Sequence, residues 1–146
     1  MLRVSTLVAG AAVAFALAAP AHGAFHITTP SGNIDCRSDA ANQVWCTVEK
    51  GSWGKARPAS GCPNDWFPRD VRIERGRVIQ GSCRGDIGPL CVKGPGNDKC
   101  RVLAYGRSVR SGRIVCTSRV AGVTCRLGDG RGKGFRVARE GLRIFR

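Results

Sequence analysis

Ser31-Gly32-Asn33-Ile34-Asp35-Cys36 and, 80 residues later, Ser111-Gly112-Arg113-Ile114-Val115-Cys116 are two copies of one pattern, SG-x-I-x-C. Each runs through a polar stretch into a V-x-C: Val44-Trp45-Cys46 after the first, Val123-Thr124-Cys125 after the second. On a strand, side chains two apart share a face. Ile34 with Cys36 and Val44 with Cys46 therefore face inward together, and the second copy repeats the arrangement. Each copy reads as a β-hairpin whose two cysteines meet across the strands. This predicts the bridges Cys36–Cys46 and Cys116–Cys125. The remaining four cysteines pair most simply as Cys62–Cys83 and Cys91–Cys100. Each bridge contributes roughly 2–4 kcal/mol.

Outward from the hairpins, the chain keeps the same short period. Phe25 to Thr28 reads as a first strand. Val71 to Glu74 and Arg77 to Gln80 alternate around an Arg75-Gly76 turn. Val102 to Tyr105, Phe135 to Ala138 and Arg143 to Phe145 read as further strands, while 49–65 and 81–99 are punctuated by Gly and Pro and read as loops. No segment sustains a 3.6-residue apolar period. The expected fold is all-β: a small disulfide-stapled sandwich or barrel of short antiparallel strands with two similar cystine hairpins.

The 146 residues hold 24 Lys+Arg, 10 Asp+Glu, 8 Cys and 2 His, for a formal charge of +14. Met1-Leu2-Arg3, the apolar run Leu7 to Ala19 and the small residues around Ala21 and Gly23 have the form of a secretory leader. The expected organisation is a signal peptide over 1–23 and one disulfide-rich domain over 24–146. The leader is too short to span a bilayer, and no other stretch is apolar enough. A lean core in a small secreted domain needs staples. With no C-x-x-C and only His26 certain to survive processing, neither a metal site nor a cofactor is expected.

The charge is lopsided. Residues 24–66 hold four basic and four acidic side chains. Residues 67–146 hold 16 Arg and 3 Lys against six acids, a surplus of +13. Arginine forks suit phosphate, sulfate and carboxylate groups. Arg113, Arg136 and Arg143 alternate with Ile114, Val137 and Ile144, which places them on solvent faces. Arg131 and Lys133 lie in the glycine-rich loop 128–134, which lacks the order of a phosphate-binding P-loop, and Arg139 is beside the last turn. Trp45 points away from its inward neighbours Val44 and Cys46. It either stacks on a sugar or base or lies under a loop. Trp53, Trp66 and Tyr105 read as packing residues.

No carboxylate spacing is catalytic. The sharpest enzyme comparison, a small basic ribonuclease, leaves Glu140 with Arg139 and His26 as its only set. Trp45, Arg113, Arg131, Lys133, Arg136, Arg139 and Arg143 are accordingly the candidate binding residues. The expected role is non-catalytic binding of anionic envelope polymers such as wall phosphopolymers, acidic glycans or lipid headgroups. A ribonuclease-like hydrolase, a cationic antimicrobial and an inhibitor are the alternatives.

The motifs in combination, Pro30-Ser31-Gly32-Asn33-Ile34-Asp35-Cys36, Val44-Trp45-Cys46, Gly51-Ser52-Trp53, Asp65-Trp66 after Cys62, Leu103-Ala104-Tyr105-Gly106, the second SG-x-I-x-C, Gly122-Val123-Thr124-Cys125 and the stretch Gly132 to Glu140 before Ile144-Phe145, carry a resemblance. From Phe25 to Phe145 the chain resembles a family of small secreted proteins of actinobacterial type, catalogued as a domain of unknown function, number 6636. The resemblance implies six shared cysteines, at 36, 46, 62, 83, 116 and 125. It thus supports the pairing above and marks Cys91–Cys100 as an added loop bridge. The chain departs from the family at Phe67-Pro68, where Asp-Trp-Gly is usual, and at Lys133, where a His often stands. The resemblance implies no activity, substrate or catalytic residue.

Overall fold

Alternate burial along the two cystine hairpins sets the architecture. The computed structural model describes residues 23–54, 61–63, 65–85, 88–91, 100–128 and 131–146. The leader expected over 1–23 lies outside these residues except for Gly23. The described residues form eleven strands and no helix: β1 Phe25–Thr28, β2 Ile34–Ser38, β3 Val44–Val48, β4 Asp65–Glu74, β5 Arg77–Arg84, β6 Arg101–Val102, β7 Ser108–Ser111, β8 Ile114–Arg119, β9 Gly122–Leu127, β10 Gly134–Val137 and β11 Leu142–Phe145. They make a six-stranded sheet, β5-β4-β3-β2-β1-β6, and a five-stranded sheet, β11-β10-β9-β8-β7. Only the β1–β6 pair is parallel.

The repeat seen in the hairpins extends through both sheets. Cys36 is opposite Cys46, and Cys116 is opposite Cys125. Ile27 flanks Cys36 as Val109 flanks Cys116. On the other side Val71 flanks Cys46 as Phe135 flanks Cys125. Each sheet is therefore one five-strand meander, β1–β5 or β7–β11, with β6 added from the connection. Gly32 and Gly112, the shared glycines, adopt left-handed φ of 67° and 55° that a side chain resists. The amide after each hairpin returns to the residue behind that glycine, Glu49 N–H to the Asn33 carbonyl and Gly128 N–H to that of Arg113.

The inner faces meet to form the core of a sandwich. Ile27, Ile34, Val44, Val48, Val71 and Ile73 of the first sheet pack with Val109, Ile114, Val123, Phe135 and Val137 of the second. The two cystines touch at its centre, Cys46 Sγ lying 4.0 Å from Cys125 Sγ. All four expected disulfides are formed: Cys36–Cys46, Cys62–Cys83, Cys91–Cys100 and Cys116–Cys125.

Several local readings change. β4 begins at Asp65 rather than Val71, and its register shifts between Phe67 and Val71, where Pro68 lacks a ladder donor. β5 continues through Gly81 to Arg84. Arg75 and Gly76 do form the turn, with φ of 50° and 71°. Of Val102 to Tyr105 only Val102 is in a strand. Leu103 enters the core, whereas Tyr105 is 42% exposed and does not pack inside. β7, largely polar, was not expected. Trp53 does pack the loop down, donating from Nε1 to the Ala138 carbonyl at 2.8 Å.

Burial separates the disulfides into two classes. The cysteines of the hairpin bridges are fully buried, while Cys83 is exposed and Cys62, Cys91 and Cys100 are partly so. In native buffer with a mild thiol reductant, Cys62–Cys83 and Cys91–Cys100 are expected to reduce first. Alkylation and peptide mass mapping should show Cys36–Cys46 and Cys116–Cys125 opening only with global unfolding.

Candidate functional site

The outer face of the second sheet is built from residues that alternate with the core. Its first row crosses the strands as Arg110, Val115, Arg126, Gly134 and Phe145. The second crosses as Ser108, Thr117, Thr124, Arg136 and Arg143. No carboxylate stands in either row. Arg136 and Arg143 are exposed and directly opposite one another, an unfavourable like-charge pair. The Arg126 guanidinium lies 3.6 Å from the centroid of the Phe145 ring, and that of Arg143 lies 5.4 Å away. Gly134 is required by the strand pairing itself, since a Cβ there would overlap the Cys125 carbonyl oxygen. Ser108 and Thr117 share a hydrogen bond of 2.7 Å, which sets a hydroxyl row beside the guanidinium groups.

Arg136 and Arg143 thus stand on this face as the sequence indicated. Arg131 and Lys133 are exposed in the β9–β10 turn at one end of it. Arg113 is exposed at the same end, in the β7–β8 turn rather than in a strand. Its backbone N–H donates to Asn42 Oδ1, and its carbonyl accepts from Gly128. Arg139 is exposed in the β10–β11 turn at the other end, where Glu140 lines a shallow pocket with Arg136 and Arg143. Arg110, Arg119 and Arg126 escaped the sequence reading. Their signal was the alternation Val109-Arg110-Ser111 and Cys125-Arg126-Leu127, which becomes legible once the inward partner is known.

Trp45 is not with these arginines. It is half-buried on the outer face of the first sheet, on the opposite side of the sandwich, between Arg37 and Arg72 on the neighbouring strands. All three ion pairs found among the described residues are in this first half: Arg37–Asp39 at 2.6 Å, Arg72–Glu74 at 3.6 Å and Arg84–Asp70 at 2.8 Å. The last is buried. Ser82 Oγ also donates to Asp70, and the Arg84 guanidinium lies 3.5 Å from the Phe67 ring centroid and 5.6 Å from that of Trp45. Asp35, also buried, accepts the Cys91 N–H at 2.8 Å. Asp35 thus ties the Cys91 segment to the sheet, and Asp70 ties β4 to β5.

A cleft of about 540 Å³ opens where the ends of the two meanders approach, lined by Asn33, Glu49, Lys50, Tyr105, Arg119, Arg139 and Glu140 among others. It gathers two members of the ribonuclease-like set, Arg139 and Glu140. His26 is elsewhere, with Nε2 3.0 Å from the Pro89 carbonyl oxygen. Two groupings have metal-ligand proximity, His26-Cys91-Cys100 and Cys36-Cys46-Cys125, but every one of their sulfurs is committed to a disulfide. No helix among the described residues is long and apolar enough to cross a membrane.

Removing one member of the buried Asp70–Arg84 pair leaves an uncompensated charge. Asp70→Ala is expected to lower unfolding stability by about 3–5 kcal/mol, read from denaturant midpoints. The exposed substitution Asp39→Ala should shift it by about 1 kcal/mol or less.

Residues 7–145 match the family described as "Family of unknown function (DUF6636)", and the chain belongs to it. No curated protein and no solved structure matches the chain.

Proposed function

We propose that this member of the DUF6636 family is a secreted, non-catalytic binding module that holds an anionic polymer of the cell envelope across the outer face of its second sheet. The observation that carries the reading is the cationic face itself. Arg110, Arg126, Arg136 and Arg143 stand on four strands of one sheet, with no carboxylate in the rows and none of the three ion pairs touching them. The directly opposed Arg136 and Arg143 repel each other, and a bridging phosphate, sulfate or carboxylate relieves that repulsion.

The other parts fit a polymer better than a single ion. The two rows of the face lie about 7 Å apart along the strands. Hydroxyls of Ser108, Thr117 and Thr124 run beside the guanidinium groups and offer hydrogen bonds to the non-ionic part of each repeat unit. Arg113, Arg131, Lys133 and Arg139 extend the positive field past both ends of the face. The stack on Phe145 lowers the freedom of Arg126 and so lowers the ordering cost of binding. Export over residues 1–23 and a mature chain over 24–146 belong to the same proposal. Four disulfides suit an oxidising compartment.

The test is retention on immobilised polyphosphate and heparin across a salt series. Binding is expected at low salt, with log affinity falling linearly against log salt. Arg126→Gln, Arg136→Gln and Arg143→Gln should each reduce the magnitude of that slope by roughly one. Absence of retention at low salt, or slopes unchanged in the triple variant, would refute the reading.

The cleft favours one second reading, a hydrolase acting on the same polymers. Glu49 and Glu140 both line it, beside Lys50, Arg119 and Arg139, so it supplies two carboxylates for acid–base work and cations for a phosphate. On this reading purified protein degrades RNA or an envelope polymer, and Glu140→Gln lowers the rate about a hundredfold or more while leaving polyanion retention in place. An inactive wild-type protein on both substrate classes removes it.

A further inference from the structure

The first sheet's outer face carries a hollow unlike anything on the second. It measures about 220 Å³, and Arg37, Asp39, Gln43, Trp45, Arg72 and Glu74 line it. Its charge is balanced: two guanidinium groups and two carboxylates, joined as Arg37–Asp39 and Arg72–Glu74. These side chains remain reachable, Arg37, Arg72 and Glu74 each being 36% exposed and Asp39 64%. Trp45 lies in the lining between the two pairs, since register places Arg37 and Arg72 on either side of it. Two N–H donors in this wall, Trp45 Nε1 and Arg72 Nε, are buried without a hydrogen-bond partner. The 3.6 Å from Arg72 Nε to Glu74 is too long to serve as one.

We infer that this hollow is a binding site for an uncharged saccharide, separate from the polyanion face and independent of it. An anion is disfavoured because the lining is neutral, and a purely apolar ligand would leave its paired polar side chains without partners. A pyranose or furanose ring satisfies both demands. Its C–H face lies on the indole, and its hydroxyl rim meets planar polar groups that donate and accept in pairs. Arg37 with Asp39, Arg72 with Glu74, and the Gln43 amide supply those groups at the edge of the ring. Arg84 of β5, clamped by Asp70, lies 5.6 Å from the Trp45 ring centroid and limits the freedom of the indole. Trp45 is in the place that Thr124 takes in the second sheet, so the platform belongs to this half alone.

The processed chain is titrated by calorimetry with uncharged di- to hexasaccharides of glucose, N-acetylglucosamine, mannose, galactose and arabinose. The titrations are run at about 0.5 M salt, where exposed charge–charge attraction is screened. At least one sugar is expected to bind, with affinity insensitive to salt. Trp45→Ala should weaken it about tenfold or more, and Trp45→Phe by less, since the ring remains while the donor is lost. Asp39→Ala and Gln43→Ala, on the exposed β2–β3 turn, should each weaken it several-fold without risk to the fold. Arg136→Gln and Arg143→Gln should change nothing. No binding by any member of the panel, equal binding by the Trp45 and turn variants, or loss of binding in the Arg136 and Arg143 variants overturns the inference. None of these results depends on whether the second sheet retains polyanions.

Discussion

The contact between two cystines at the centre of the sandwich is the constraint on which the rest of this molecule depends. Cys46 and Cys125 approach to 4.0 Å through their sulfurs, each already tied to the strand beside it. A cross-strand bridge fixes hairpin register, and a one-residue slip would turn every side chain of a strand to the wrong face. With both registers fixed, the aliphatic residues on each side of the bridge have only one surface to bury. Ile27, Val71 and Ile73 then complete one layer, and Val109, Phe135 and Val137 the other. A core this small gains from having its centre covalently set before its edges pack.

That arrangement frees the outer faces from any role in the core, and the two have diverged except where Arg72 and Arg136 keep an arginine in the same place. Equivalent positions of the two meanders carry Trp45 and Thr124, Arg72 and Arg136, Ile79 and Arg143. Asp35, Thr47 and Asp70 cross the first sheet where Val115, Arg126 and Gly134 cross the second. One face is acidic beneath a covering segment and balanced at its surface. The other is open and cationic. The same backbone solution, used twice, presents two unrelated chemistries on opposite sides of one small body.

Much of this was legible in the residue order. SG-x-I-x-C followed by V-x-C fixed both hairpins and their bridges, because period-two alternation and cross-strand cysteines leave few arrangements. The Arg75-Gly76 turn and the surface placement of Arg136 and Arg143 followed from the same alternation. What escaped was non-local or was masked by punctuation. Gly81 made a strand extension look like a loop, yet β5 continues past it, and β4 reaches back to Asp65 through a register shift near Pro68. Asp35 and Asp70 take the outer face by alternation, but the Cys91 segment and Arg84, which only the fold brings to them, accompany their burial. Trp45 and the arginines were grouped by chemistry, whereas the pairing of two sheets by their inner faces sends them to opposite sides. Arg110 and Arg126 joined the cationic face only through register with β10 and β11.

Each meander is also complete within its own half of the chain, and a single crossing between β5 and β7 joins the halves. Among the described residues every inter-strand ladder but the short β1–β6 pair is therefore made between strands consecutive in sequence. None of the four disulfides joins a strand of one meander to a strand of the other. The ladders of each meander thus close between neighbouring strands, which keeps the loop-closure cost of building either sheet low.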